Sequence, residues 1–350
     1  MAEARMSPLE PKAPPSKCDH EARQRQAVKD RIINAFQEGT IPVAESTLND
    51  ITNLFITDAI EVLRLHPGYL LESKFRSLKT TLTLFERAAG DLLAALDRFC
   101  VFSRTPEFHY ISHAAMQADV ETAVRKEIFA FTELAHSLQD HCRRITTKDW
   151  KPTEFEDMLA DHFGNKALHD FICGLRTALH HRSMVEAEWL ILGSGIEATS
   201  HYTFQTVELR LIQEWKSTAL AFMDQAGDEI DVRSMTEDYR TRVRAFYNWF
   251  LDAFEGSAPP EVLDYRRCWD EHTRRSSRGI YRLLLNEFLR RGVDPYPHLH
   301  KYLRPDQLAQ ALTLPNHSQQ QVDLIIEMVD RARACDSDLR AIIYRLFGVT

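Results

Sequence analysis

One run limits the possible folds more than any other. Between residues 117 and 145, Val120, Val124, Ile128, Phe131, Leu134, Leu138, Cys142 and Ile145 recur at steps of 4, 4, 3, 3, 4, 4 and 3. A strand repeats every two residues and cannot give this spacing. A helix of about 3.6 residues per turn places the whole set on one stripe. A seam of that length needs another helix against it. The chain is therefore expected to be mainly α-helical, a helical bundle.

The remaining sequence agrees. Only 12 of 350 residues are glycine, few for a sandwich or barrel with many tight turns. Leu78, Leu82, Phe85, Ala89, Leu92, Leu96 and Phe99 repeat at helical spacing. So, in the main, do Ile51, Leu54, Phe55, Ile60, Val62 and Leu63, with "HPG" as the stop. The texture changes after Met184. "VEAEWLILGSGIEATSHYTFQTVELR" is rich in Thr, Ile and aromatics and predicts a small β-hairpin insertion, about 186–206, turning at Gly193–Gly195. Helices are expected again at about 207–225, 233–255 and 262–291, with two more at the end. "EGSAPPE" breaks periodicity and reads as a linker. The expected organisation is a disordered tail over 1–22, a helical domain over 23–255 and a C-terminal helical subdomain over 256–350 with an Arg-rich helix.

Charge and cysteines exclude some classes. The net charge of −8 does not attract nucleic acid over the whole surface. Residues 266–304 nevertheless carry ten Lys/Arg against four Asp/Glu, either a solvated helix face or a surface for an anionic or protein partner. The six cysteines form no C-x-x-C pair, and the N-terminus has no apolar h-region, so reduced thiols in a cytoplasmic protein are expected. No apolar run is long enough to span a bilayer.

Several sites compete. "GSGIEA" at Gly193–Ala198 fits G-x-G-x-x-A, but the residues after it, "TSHYTFQT", prefer strand, so a hairpin turn is expected there and not a dinucleotide loop. His109/His113, His136/His141 and His298/His300 are pairs without a third ligand at a recognisable spacing, so no metal and no cofactor are expected. "FICGLRTALHHRSM" is richer. On this helix Arg176 sits beside a buried stripe, and His180 and His181 come within about a turn of it. A guanidinium near a groove suits phosphate, and an imidazole moves protons near neutral pH. The same residues can also simply satisfy the carbonyls and dipole of a helix C-terminus.

Arg-x4-His near a helix end, here "RTALHH", resembles the HEPN superfamily of bacterial defence and toxin ribonucleases. It is similar in particular to an uncharacterised bacterial group with an LRNYxQH-type helix. The likeness spans about residues 110–255, from the helix ending "LQDHCRRI" through "RAFYNWFLDAF". It implies two long antiparallel helices, a homodimer with both motifs facing one cleft, and metal-free cleavage of RNA. Arg176 would then hold the scissile phosphate, and His181, or else His180, would handle protons. Arg143, Arg144 and Arg182 would extend an RNA-binding cleft. The motif departs in Thr177, where many members carry Asn. The other expectation is a non-catalytic interaction protein that docks partners through the 117–145 seam and the C-terminal Arg face.

Overall fold

The computed structural model describes residues 17–105, 108, 110, 112, 114–181, 188–193, 199–212 and 214–349. In chain order the elements are α1 (Lys17–Glu38), α2 (Glu45–Thr52), α3 (Ile56–Leu63), α4 (Tyr69–Ser103), α5 (Ala114–Thr146), α6 (Phe155–Phe163) and α7 (Ala167–His181). Then come β1 (Glu188–Leu192), β2 (Thr199–Gln205), α8 (Thr206–Ile212), α9 (Ser217–Ala226), β3 (Glu229–Asp231), α10 (Val232–Ser257) and α11 (Pro260–Arg291). A 3-10 turn (Tyr296–Lys301) and α12 (Pro305–Ala311), α13 (Gln319–Val329) and α14 (Ser337–Phe347) close the chain. The protein is mainly helical, with a three-stranded antiparallel sheet. No helix among the described residues is long and apolar enough to cross a membrane.

The chain forms two compact units, one over residues 71–258 and one joining the segment through Leu70 to everything from Pro259 onward. In the 71–258 unit, the seam falls on α5. Val124, Ile128, Phe131, Leu138, Cys142 and Ile145 are buried, with Val120 and Leu134 half-buried at its edge. The helices that cover it lie within the same unit. Rings of Phe85 on α4, Phe131 on α5 and Tyr239 on α10 meet at centroid distances of 5.3, 5.9 and 6.0 Å. Burying each such ring is worth about 1.5–3 kcal/mol. The docking surface expected along this seam is therefore already occupied from within.

The hairpin forms as β1 against β2, from Glu188 opposite Thr203 to Leu192 opposite Thr199. Of its expected turn, Gly193 has φ +89°, and residues 194–198 lie outside the described residues. Since β1 leads into an antiparallel strand, the strand-to-helix turn of a dinucleotide loop does not form. A third strand, β3, pairs with β2 within "DEIDVRSM", which reads as a connection because three residues carry no periodicity. Asp231 ends β3 and caps α10, accepting the Ser234 N–H at 2.8 Å. The single helix expected over 207–225 is broken into α8 and α9, and the Trp215 indole N–H donates to the Leu209 carbonyl at 2.7 Å near the break.

The other unit joins segments from the two ends of the sequence. Ile32, Phe36, Val43, Leu48, Ile51, Val62 and Leu63 share one core with Tyr265 and Cys268 of α11. The N-terminal helices thus pack with the C-terminal segment, two stretches that the expected limits 23–255 and 256–350 place apart. The Val43 N–H donates to Asp264 Oδ2 at 2.9 Å, a pairing across more than two hundred residues that local periodicity cannot register. Helix α1 begins at Lys17, inside the stretch expected to be a tail; residues 1–16 lie outside the described residues. The stripe expected through Phe55 is interrupted between α2 and α3, leaving Phe55 69% exposed. Gly68, in the "HPG" stop, is needed for close approach: a methyl group there would overlap the Glu261 carbonyl at the start of α11.

Candidate functional site

Helix α7 buries Leu168, Phe171, Ile172, Leu175 and Ala178, so Arg176 and His180 fall at the margin of its apolar face. It runs antiparallel to α5: Cys173 lies 3.6 Å from Gln139, while Arg176, further along α7, meets Glu133, earlier on α5. The Arg176 Nε–H donates to Glu133 Oε1 at 2.6 Å. His180 Nε2 contacts the same carboxylate oxygen. All three side chains are about a quarter to a third exposed, at 26%, 27% and 31% for Arg176, Glu133 and His180. The Phe129 ring lies 4.7 Å from the imidazole and covers one side of the group. Partial burial pushes the Glu133 carboxyl up, but the Arg176 and His180 contacts outweigh it and hold it below its ordinary value. The cluster is therefore a carboxylate shared by a guanidinium and an imidazole at the half-wet edge of two packed helices.

Glu133 is the member that sequence reasoning missed. It is one of many acidic residues on helix faces, and only the antiparallel register of α5 and α7 selects it. His181 ends α7 by its backbone, and its side chain lies outside the described residues, as does all of Arg182. Arg143 and Arg144 do not extend this cluster. Both are exposed near the C-terminal end of α5, and Arg143 pairs with Asp140 at 3.0 Å. Ten residues of helix place Arg143 about 15 Å along the axis from Glu133.

The C-terminal arginines are also spent internally. Arg267 holds Asp264 and Glu45, Arg274 holds Glu271, Arg278 and Arg282 reach Asp336 and Asp338, and Arg290 and Arg291 share Glu287. Glu45, Asp264, Asp336 and Asp338, which lie outside residues 266–304 in sequence, offset part of the excess of basic residues counted there.

Of the histidine pairs, His109 and His113 lie outside the described residues, and His298 and His300 are exposed. His136 faces Asp140 at 3.9 Å, and His141 Nδ1 lies 3.1 Å from the Thr81 hydroxyl. A different group brings His66, Asp264 and Cys268 together, with donor atoms within 4.8 Å. The Gly68 N–H donates to His66 Nδ1 at 3.1 Å, so the neutral ring carries its proton on Nε2, 3.3 Å from Asp264 Oδ2. Asp264 also accepts from Val43 N–H and Arg267. Burial pushes the His66 pKa down, more strongly than Asp264 raises it. With these polar atoms engaged and a guanidinium alongside, the group reads as a buried hydrogen-bonded post between α3 and α11 rather than a metal centre.

Comparison of the chain with protein-family models, with curated proteins and with solved structures found no match. What the fold and site define by themselves is a mainly helical protein with a small antiparallel sheet and an Arg–Glu–His cluster between two antiparallel helices.

Proposed function

We propose that the Glu133–Arg176–His180 cluster is a metal-independent acid–base site of the HEPN type that acts on RNA. One observation carries the reading: a guanidinium and an imidazole, one helical turn apart, converge at a half-exposed edge between antiparallel helices. The bond to Glu133 uses Arg176 Nε, so the terminal nitrogens are not spent on it and can face a phosphate oxygen. Glu133 orients the His180 ring, as a base is oriented by a third group. The imidazole takes the proton of a 2′-hydroxyl as O2′ bonds to phosphorus. The P–O5′ bond breaks, O5′ leaves with the proton that the imidazolium returns, and a cyclic phosphate results. His181 is the alternative proton carrier, and a homodimer placing two such edges across one cleft is part of the reading. So is a cytoplasmic role in phage defence or a toxin-like system.

A second reading has its own support. Glu133 takes both the Arg176 guanidinium and the His180 imidazole, which offsets the guanidinium charge and pins α5 to α7 as a clasp without catalysis. One experiment separates the two. Purified protein is incubated with mixed RNA in chelator, beside Arg176→Ala, His180→Ala and His181→Ala, with circular dichroism as the control. The nuclease reading expects cyclic-phosphate ends and a loss of about a hundredfold or more in Arg176→Ala and in the operative histidine variant. Intact RNA with the parent protein, or undiminished cleavage by a folded Arg176→Ala, rejects it and leaves the clasp.

A further inference from the structure

At the other end of α7, four helices of the 71–258 unit line a half-open cavity of about 200 Å³. Its wall is aromatic. Phe155, Phe163 and Phe246 meet edge to face at 5.5 and 5.7 Å, and Tyr239 and Tyr247 complete it. A dry cavity of about 150 Å³ is enough to hold a benzene ring, so this one has room for a ring with a short substituent. Its mouth is polar: Gln139, Arg143 and Lys166 line it and are exposed.

The two charged residues lining that mouth, Arg143 and Lys166, are basic, with Asp140 and Glu156 nearby. None of the lining residues is acidic. Asp140 balances Arg143 at 3.0 Å, whereas no ion pair of Lys166 is found among the described residues. Inside, the Tyr247 side chain is buried. Burial holds the Tyr239 and Tyr247 phenols neutral by pushing their pKa values well up. Aromatic faces alone would also accept a cation, but Lys166 at the entrance opposes one.

We propose that this cavity binds a small aromatic carboxylate, with the ring among Phe155, Phe163 and Phe246 and the carboxylate at Lys166. The site is separate from the Arg176 cluster and stands whether or not that cluster cleaves RNA. Calorimetric titration of the full chain uses phenylacetate as the probe, with benzyl alcohol and benzylamine as neutral and cationic comparisons. Phenylacetate is expected to bind saturably and more tightly than either. Lys166→Gln, at an exposed position, should weaken phenylacetate about threefold to tenfold and leave benzyl alcohol unchanged. Leu159→Trp, filling the cavity from its rim, should abolish binding of both while thermal melting shows a folded protein. Absence of saturable phenylacetate binding overturns the proposal. So does benzylamine binding as tightly as phenylacetate, or phenylacetate affinity unchanged in both variants.

Discussion

Replacing His169 by glutamine probes a pH dependence built into the 71–258 unit. His169 Nδ1 lies 2.9 Å from the Tyr239 hydroxyl, its ring is 5.6 Å from Phe163, and Nε2 is 3.6 Å from the Cys173 sulfur. Burial in this setting pushes its pKa from 6.5 down to about 4, against a smaller upward pull from Asp170. In the unfolded chain the ring returns to its ordinary value. Between these two points the unfolded chain binds a proton that the folded chain refuses, so stability falls as pH falls. The contribution is complete above the unfolded pKa and is gone below about 4. At about 1.36 kcal/mol per pH unit it amounts to about 3 kcal/mol, of which about 2 are lost by pH 5. Glutamine keeps an acceptor for Tyr239 and does not titrate. Equilibrium unfolding in urea, followed by tryptophan fluorescence at about pH 7.5 and about pH 5, compares the two proteins. Carboxylates titrate in both, so the difference between the two pH responses isolates His169. The parent should lose about 2 kcal/mol more than the variant. Equal losses would refute the claim that His169 is held neutral by its surroundings.

Two further outcomes concern the post between α3 and α11. Gly68→Ala places a methyl group onto the Glu261 carbonyl and should cost at least about 2 kcal/mol, seen as faster proteolysis within residues 17–70; an unchanged digestion pattern counts against the close approach. Asp264→Ala strips the acceptor from the Val43 N–H, His66 and Arg267 and should cost about 3–5 kcal/mol in chemical denaturation, with Asp264→Asn recovering part of it; equal stability of Ala and Asn variants would show that hydrogen bonding there is immaterial.

The long elements were legible because their apolar positions repeat many times. α4, α5, α10 and α11 each carry enough turns for a stripe to stand out, and the β1–β2 hairpin shows in its Thr, Ile and aromatic content around glycine. Arg176 and His180 could be placed together because four residues make one helical turn. Glu133 could not, since its contact depends on how two helices align forty-odd residues apart in sequence. The grouping of α1–α3 with α11 was hidden for the same reason on a larger scale. His66 illustrates it: in sequence it belongs to a helix stop, and only the fold gives it Asp264, 198 positions away. The basic count over 266–304 is offset in part by acids outside it, because sequence shows charges but not the acids that meet them. The cavity needed four separate helices to be seen.

The order in which this chain leaves the ribosome acquires a consequence from its nested layout. α1–α3 emerge first, yet Tyr265 and Cys268, which complete their core, are made only after the whole 71–258 unit. At about 5–20 residues per second that is a wait of roughly 10–40 seconds. During it the intervening unit has all of its own sequence, and Phe75 and Phe254 near its two ends stack on each other. Synthesis thus favours an inside-out sequence of events, in which the middle of the polypeptide is finished while its beginning still awaits its end.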